Sequence, residues 1–321
     1  CHKFLSGGVM EHYVTLFDSL FLPQGLALHA SMERHAAPYT LWVLCIDDAA
    51  HEVLTSLRLP NLKLLALSQL ETPELLAIKP GRNRGEYCWT LTPFAPRFVF
   101  DADPDVERVT YLDADLWFRK SPALLLGEFT ASGKGVQITD HAYAPEYDST
   151  VTSGQFCVQF MTFHRQRGEA VRKWWEERCL EWCFARYEDG KFGDQKYLDD
   201  WPERFSEDVH VFGQKELLLA PWNVTRFPYG QAVAYHFQGL RILAGKRVVL
   251  APTYSLPRFV VANIYDPYLL DLKSVIMQLE DAGWKVLKQS GAPTWTASLK
   301  PLVGLIVRNF WRVRLHRVKP L

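Results

Sequence analysis

Tyr111-Leu112-Asp113-Ala114-Asp115-Leu116-Trp117-Phe118 ends an apolar run on two carboxylates and returns at once to apolar residues. With Arg108, Val109 and Thr110 ahead of it, the segment predicts a buried strand from Arg108 to Leu112 that runs straight into Asp113. Two like charges held so close in apolar surroundings have raised pKa values unless a cation neutralises them. A hard divalent ion, Mn²⁺ or Mg²⁺, bound through carboxylate oxygens meets that need. The plainer alternative is that the two aspartates cap a following helix or pair with Arg119 and Lys120. Asp-x-Asp spacing alone does not decide, because Asp101-Ala102-Asp103 and Asp103-Pro104-Asp105 repeat it. Those two lie in a Pro-containing turn, where carboxylates ordinarily do no more than solvate a loop. Strand context selects Asp113 and Asp115.

On either side of this junction, short β-rich runs alternate with helical patterns, which predicts βαβ units and a mainly parallel sheet covered by helices. Strands are expected at Tyr13–Phe17, Leu41–Ile46, Leu62–Leu67, Gln155–Phe163 and Ala232–Phe237. Helices are expected at Leu20–Arg34, Ala49–Ser56, Trp89–Phe100 (interrupted by Pro93 and Pro96), Gly168–Phe184 and, briefly, Asp194–Asp200. Ligands of such open sheets sit at the carboxyl ends of strands. After about Asp266 the pattern changes to two helical segments, Tyr268–Lys288 and Pro301–His316, parted by Ser290-Gly291-Ala292-Pro293. The expectation is a catalytic domain over 1–265 and a basic helical tail over 266–321.

The 321 residues are 48% hydrophobic, enough for a large core without a partner chain. Acidic and basic residues balance at 36 each, so no global field draws the chain toward nucleic acid or an anionic membrane. Cationic excess is local: from Ala282 onward there are eight Lys and Arg residues and no Asp or Glu. The six cysteines form no CxxC pair, which suits buried free thiols in a reducing compartment. No apolar run reaches the roughly 18 to 20 residues of a membrane span, and no secretory signal is visible, so the expected place is the cytoplasm.

Four segments now carry a resemblance. Val109 to Asp115 resembles the metal-binding motif of the retaining glycosyltransferases typified by glycogenin and bacterial lipopolysaccharide galactosyltransferases, glycosyltransferase family 8. Thr152-Ser153-Gly154-Gln155-Phe156-Cys157-Val158-Gln159-Phe160 is similar to that family's strand near the donor sugar, and Gly193-Asp194-Gln195-Lys196-Tyr197-Leu198 to its Asp-Gln motif. His236-Phe237-Gln238-Gly239-Leu240-Arg241 is similar to its late His-x-x-Gly motif. With Thr15-Leu16-Phe17-Asp18 at the first strand, the match spans roughly residues 13 to 241, in the family's order. Two departures stand out: Thr152 replaces the usual Asn, and Arg241 arrives one place early. Glu86 to Pro93 and Leu219 to Asn223 look similar to a bacterial subgroup of nucleotide-sugar transferases for which no acceptor is implied.

The resemblance implies a GT-A fold, an α/β mixed sheet flanked by helices with a C-terminal helical appendage. It also implies transfer from a nucleotide diphosphate sugar, a UDP-sugar, with a divalent metal and retention of configuration, to a glycan or lipid-linked acceptor. Asp113, Asp115 and His236 would hold the metal. Asp194 would accept from donor-sugar hydroxyls and Gln195 would sit beside the anomeric carbon. Thr15, Asp18, Asp113, Ala114, Ser153, Gly154, Gly239 and Arg241 would line the donor, although Asp18 and Thr15 also read as helix capping and Gly239 as a plain turn. A nucleotidyltransferase, or a sugar-nucleotide-binding module without turnover, is the alternative.

Three other readings stay open. Arg82 and Arg84 either approach a diphosphate or solvate their glycine-flanked loop. Trp222 is a candidate to stack on a sugar, while Trp174, Trp175 and Trp182 read as core. In the tail, Leu302, Val303, Ile306, Phe310 and Val313 share a helical face beside Arg308 and Arg312. That face either makes peripheral contact with the inner face of a membrane or packs on protein.

Overall fold

The computed structural model describes residues 10–227, 232–243, 247–289 and 318–321. Seven strands form the main sheet in the order β3-β2-β1-β4-β7-β6-β8. These are β1 (Glu11–Phe17), β2 (Tyr39–Cys45), β3 (Leu62–Ala66), β4 (Arg108–Leu112), β6 (Val136–Asp140), β7 (Phe156–His164) and β8 (Val209–Val211). β1 to β4 run parallel, β7 is antiparallel to both β4 and β6, and β8 is parallel to β6. Two three-stranded sheets complete the strands. One is β5 (Leu116–Phe118), β10 (Ala234–His236) and β9 (Leu218–Leu219); the other is β11 (Arg241–Leu243), β12 (Arg247–Val249) and β13 (Val318–Pro320).

Alternation along the inner strands explains why helices cover both faces. On β1 and β2, Tyr13, Leu41 and Val43 point into one apolar cluster, while Val14, Trp42 and Leu44 point into the other. The first face carries α1 (Leu22–His35), α2 (Asp48–Leu57) and α11 (Asp266–Asp281). The opposite face carries α3 (Pro73–Ile78), α4 (Arg84–Leu91), α5 (Phe94–Ala102) and α8 (Glu169–Glu181). The remaining α-helices among the described residues are α6 (Ala123–Ser132), α7 (Thr150–Ser153), α9 (Trp201–Arg204) and α10 (Arg258–Val260).

Local chemistry sets the ends of these elements. Asp47 caps α2 by accepting from Ala50 N, and Asn83 with Glu86 forms a capping box at α4. The helix expected over Trp89–Phe100 is two helices, because Pro93 has no N–H to continue α4 and instead opens α5. Asp194–Asp200 is a 3₁₀ segment, Gln195–Asp200. Strands β5, β6, β8 and β9 and helix α6 are features the sequence patterns did not reveal. Gly135 lies so close to the next chain segment that a Cβ there would meet Arg167 O at 2.2 Å.

The expected tail divides. Its first helix, α11, buries Tyr268, Leu269, Leu272, Val275, Ile276 and Leu279 in the same apolar cluster as α1. Tyr268 stacks on Phe237 with centroids 3.6 Å apart. This stretch is part of the core, and the expectation that it is an appendage fails for it, since its apolar stripe faces the domain. Gln289 closes the segment from inside: buried, it donates to Leu20 O and accepts from Ile242 N and Gln24 Nε2. The expected helix over Pro301–His316, with Arg308, Arg312 and the membrane reading, lies outside the described residues. Among the described residues no helix is long and apolar enough to cross a membrane.

Candidate metal and donor site

β4 leaves the main sheet at Leu112, and the next three residues form a turn that hands the chain to β5. Asp113 N donates to Gln159 O of β7 at 3.1 Å, and Leu116 N closes the turn on Asp113 O at 3.1 Å. β5 then pairs antiparallel with β10 in a register that sets His236 opposite Leu116. Phe237 N donates to Asp115 O at 2.9 Å and locks the pair of segments. Two stretches some 120 residues apart are thereby brought side chain to side chain.

Ligand atoms of Asp113, Asp115 and His236 all lie within 4.8 Å of one another. His236 Nε2 is 3.0 Å from Asp115 Oδ1 and 3.7 Å from Asp113 Oδ2. The other ring nitrogen, Nδ1, faces Gln159 Oε1 at 3.0 Å. With Nδ1–H donating there, Nε2 is directed at the carboxylates, the orientation a metal-binding imidazole needs. Asp113 Oδ1 accepts from the Tyr111 hydroxyl at 3.0 Å.

Electrostatics follow from this crowding. Burial pushes the Asp113 carboxyl up, against the pull of His236. Burial pushes Asp115 up too, but His236, which also hydrogen-bonds to it, outweighs burial and holds it below the usual range. Burial alone would lower His236; Asp115 beside it drives the imidazole well above its ordinary value. The donor set, two carboxylates and an imidazole with one nitrogen fixed, fits a hard divalent cation, which would replace the imidazolium proton on Nε2.

Asp194 lies behind this cluster. Trp175 Nε1 donates to its backbone oxygen at 2.8 Å, and Gly193 before it takes φ +53°, a turn that an L side chain rarely adopts. Its carboxyl is buried, with Oδ2 unpartnered among the described residues. Burial, with Asp113 adding its charge, pushes it up to about 8. Gln195 Nε2 donates to Ser153 O at 2.6 Å, which ties the 3₁₀ segment to the end of α7. Gly154 follows at φ +100°, packed on Asp199 and Lys196.

The remaining expected residues are less uniformly placed. Asp18 closes a turn ahead of α1, Oδ1 accepting from Leu20 N and Phe21 N, and pairs with Arg84. Arg84 also reaches Asp47, so this exposed side chain, at the start of α4, bridges the ends of β1 and β2. Thr15 is fully buried in β1, and Ala114 is buried between the two aspartates. Arg241 rests over the Phe21 ring and feels the Asp115 charge. Gly239 turns the chain at φ +83°.

Two expectations are corrected. Arg82 does not approach a diphosphate: its guanidinium is half-buried and donates to Thr90 Oγ1 and Leu180 O. Trp222 cannot stack on a sugar, because its ring is only 4% exposed and its Nε1 donates to His141 O. Asn223, whose sequon the sequence displays, is fully buried and bridges Ala220 N, His141 O and Leu218 O. Gln159, Tyr111, His141 and Cys157 adjoin the candidate site, and sequence reasoning gave none of them a role there. Burial would raise the Cys157 thiol, but His141 and His236 pull it down to about 7. Its place two residues before Gln159 on β7 was the available signal, since alternate residues share a strand face.

No family model matches the chain. The uncharacterised protein YfnD of Bacillus subtilis (strain 168) is 29% identical over 287 residues, 84% of this chain and 91% of YfnD. The uncharacterised protein YfnF of the same organism is 30% identical over 250 residues, 72% of this chain and 82% of YfnF. Among solved structures, the galactosyltransferase LgtC in complex with donor and acceptor sugar analogs matches with a TM-score of 0.51 at 14% identity, over 82% of this chain and 95% of LgtC. The mainly parallel sheet flanked by helices is thus the GT-A fold.

Proposed function

The chain belongs to the family of YfnF, and we propose that it transfers a glycosyl group from a nucleotide diphosphate sugar to an acceptor hydroxyl, with a divalent cation held by Asp113, Asp115 and His236. The observation that carries this reading is the convergence of those three side chains within 4.8 Å at the carboxyl end of β4, in front of a buried, unpartnered carboxyl oxygen of Asp194. Sheets of this kind bind ligands at that edge. The resemblance to glycosyltransferase family 8 supports the finer terms: a UDP-sugar donor, Mn²⁺ or Mg²⁺, a glycan or lipid-linked acceptor, and retention.

In the reaction, the acceptor oxygen bonds to the anomeric carbon while that carbon's bond to the β-phosphate oxygen breaks. The electron pair and the acceptor's proton both go to the departing diphosphate. A bound cation supplies neutralisation of the charge that grows there. Gln159 keeps His236 Nε2 turned to the site, and Tyr111 steadies Asp113. Asp194 offers the donor sugar a buried polar group whose carboxyl burial pushes well above the usual range. Gln195, its Nε2 given to Ser153 O, presents a neutral amide oxygen. An amide is a poor nucleophile, which favours front-face displacement over a covalent glycosyl-enzyme.

Calorimetry of UDP binding with and without Mn²⁺, together with hydrolysis of a panel of UDP-sugars, tests the proposal. Wild type is expected to bind UDP only with the cation and to hydrolyse at least one donor; Asp115→Ala loses both while its circular dichroism is unchanged. Equal UDP binding in the presence of a chelator would falsify it.

A further inference from the structure

An aromatic series leads away from the metal cluster. His236 meets the edge of Trp222 at 5.2 Å, Trp222 meets the edge of His141 at 5.2 Å, and His141 stacks on Tyr143 at 4.7 Å and 11°. Tyr147 and Tyr254 meet edge to face at 5.0 Å beside it. All three tyrosines pack on Cys157, Ala220 and Trp222, and each is half-buried. Tyr13, Tyr235, Tyr265 and Tyr268, by contrast, are closed inside the core.

The three come from two loops. Tyr143 and Tyr147 follow the carboxyl end of β6, the edge where Asp113 ends β4, and Tyr254 follows β12. Ser255 N donates to the Tyr147 hydroxyl oxygen at 2.8 Å, which leaves that O–H to donate elsewhere. The Tyr143 hydroxyl makes no hydrogen bond among the described residues. Carboxylates lie beside the shelf: Glu146 precedes Tyr147 in the chain, and the charges of Asp148 and Asp199 act on Tyr143, Asp199 also accepting from Gln155 N. The cations are engaged, Lys196 with Asp199 and Thr150 O, Arg226 with Tyr143 O.

Resting on the glycosyl-transfer reading, we propose that Tyr143, Tyr147 and Tyr254 form the acceptor subsite and that the acceptor presents a carbohydrate ring there. Half-buried phenols combine an apolar face for the C–H side of a sugar with hydroxyls for its rim. Carboxylates accept from sugar hydroxyls and repel phosphate, so the shelf suits a neutral sugar and disfavours a bare lipid phosphate. His141 and then Trp222 link Tyr143 to His236, and Cys157, on which the tyrosines pack, stands on β7 just after Gly154, so an acceptor on the shelf lies on the metal side of the site.

The test is saturation-transfer-difference NMR on the full chain with Mg²⁺ and UDP, using methyl glycosides of glucose, galactose and N-acetylglucosamine as probes. Saturation of protein aromatic protons is expected to reach at least one glycoside. Its affinity should fall about tenfold in Tyr147→Leu and Tyr254→Leu, which keep apolar volume, and recover in Tyr147→Phe. The proposal is overturned if no glycoside receives saturation, or if the leucine variants bind as wild type. Calorimetry of UDP–Mg²⁺ on wild type separates the failures: donor binding without glycoside binding sinks the shelf alone, and absent donor binding sinks the underlying reading.

Discussion

Gln159 serves two partners at once. Its backbone oxygen receives Asp113 N and its amide oxygen holds His236 Nδ1, so one residue of β7 positions candidate ligands from two other strands. Gln159→Leu should leave the strand intact but free the imidazole to rotate. Cation affinity, measured by Mn²⁺ titration with UDP present, is expected to weaken by about 10–100-fold. An unchanged affinity would mean that the ring is held by packing against Trp222 alone. The carboxylates were legible because an apolar strand running into Asp-x-Asp is locally anomalous. Gln159 was not, since a single amide within a strand leaves no local pattern and acquires meaning only through pairing. Trp222 was misread for a similar reason: its neighbours Pro221 and Asn223 suggested a loop surface, whereas Asn223 bridges three backbone groups and carries the ring inward.

Among the elements, the junction between α5 and β4 depends on one side chain from after β7. Arg165 donates to Phe100 O, Asp103 O and Val106 O and lies over the Phe100 ring at 4.7 Å. These oxygens belong to the end of α5 and the turn before β4, where Asp103 O also accepts from Val106 N at 3.3 Å. Arg165→Ala is expected to cost about 2–4 kcal/mol of unfolding free energy by urea titration, and Arg165→Lys, a point charge without the fork, should recover only part of it. The same turn holds Asp103 and Asp105, while Asp101, expected there too, lies in the last turn of α5, and Asp103 is occupied with Lys63 and Asp105 N. Elements with a strong local period, such as β1, β2, β4 and α8, were readable. β10 falls within the strand expected at Ala232–Phe237, whereas its partners β5 and β9 are two or three residues long, so no periodicity could announce them. Pro93 was visible as an interruption, but whether it kinks or divides a helix depends on packing.

Across the whole molecule, two apolar layers close on one sheet, and the charged groups of the site are the exception that they enclose. Asp194 is the clearest case. Its carboxyl is raised from 3.8 to about 8 in the folded chain, so the native state holds that proton more tightly than the unfolded state. The stability it contributes is complete below about pH 4 and is lost as pH rises through about 8. Urea unfolding of metal-free protein should show Asp194→Asn gaining on wild type at pH 8.5 relative to pH 5; parallel profiles would contradict the burial. No local sequence pattern discloses this, because burial is a property of the finished fold. The register that faces His236 with Leu116 has a thermodynamic corollary. On the proposed metal reading, candidate ligands drawn from two sheets could embrace one ion only while those sheets are docked, so the chemical potential of the cation would be a lever on docking itself. At a free concentration 100-fold above the dissociation constant, the native state gains about 2.7 kcal/mol. The amide of Phe237, bonded to Asp115 O, would then exchange with solvent more slowly, reporting the ion from a residue that has no side chain to offer it.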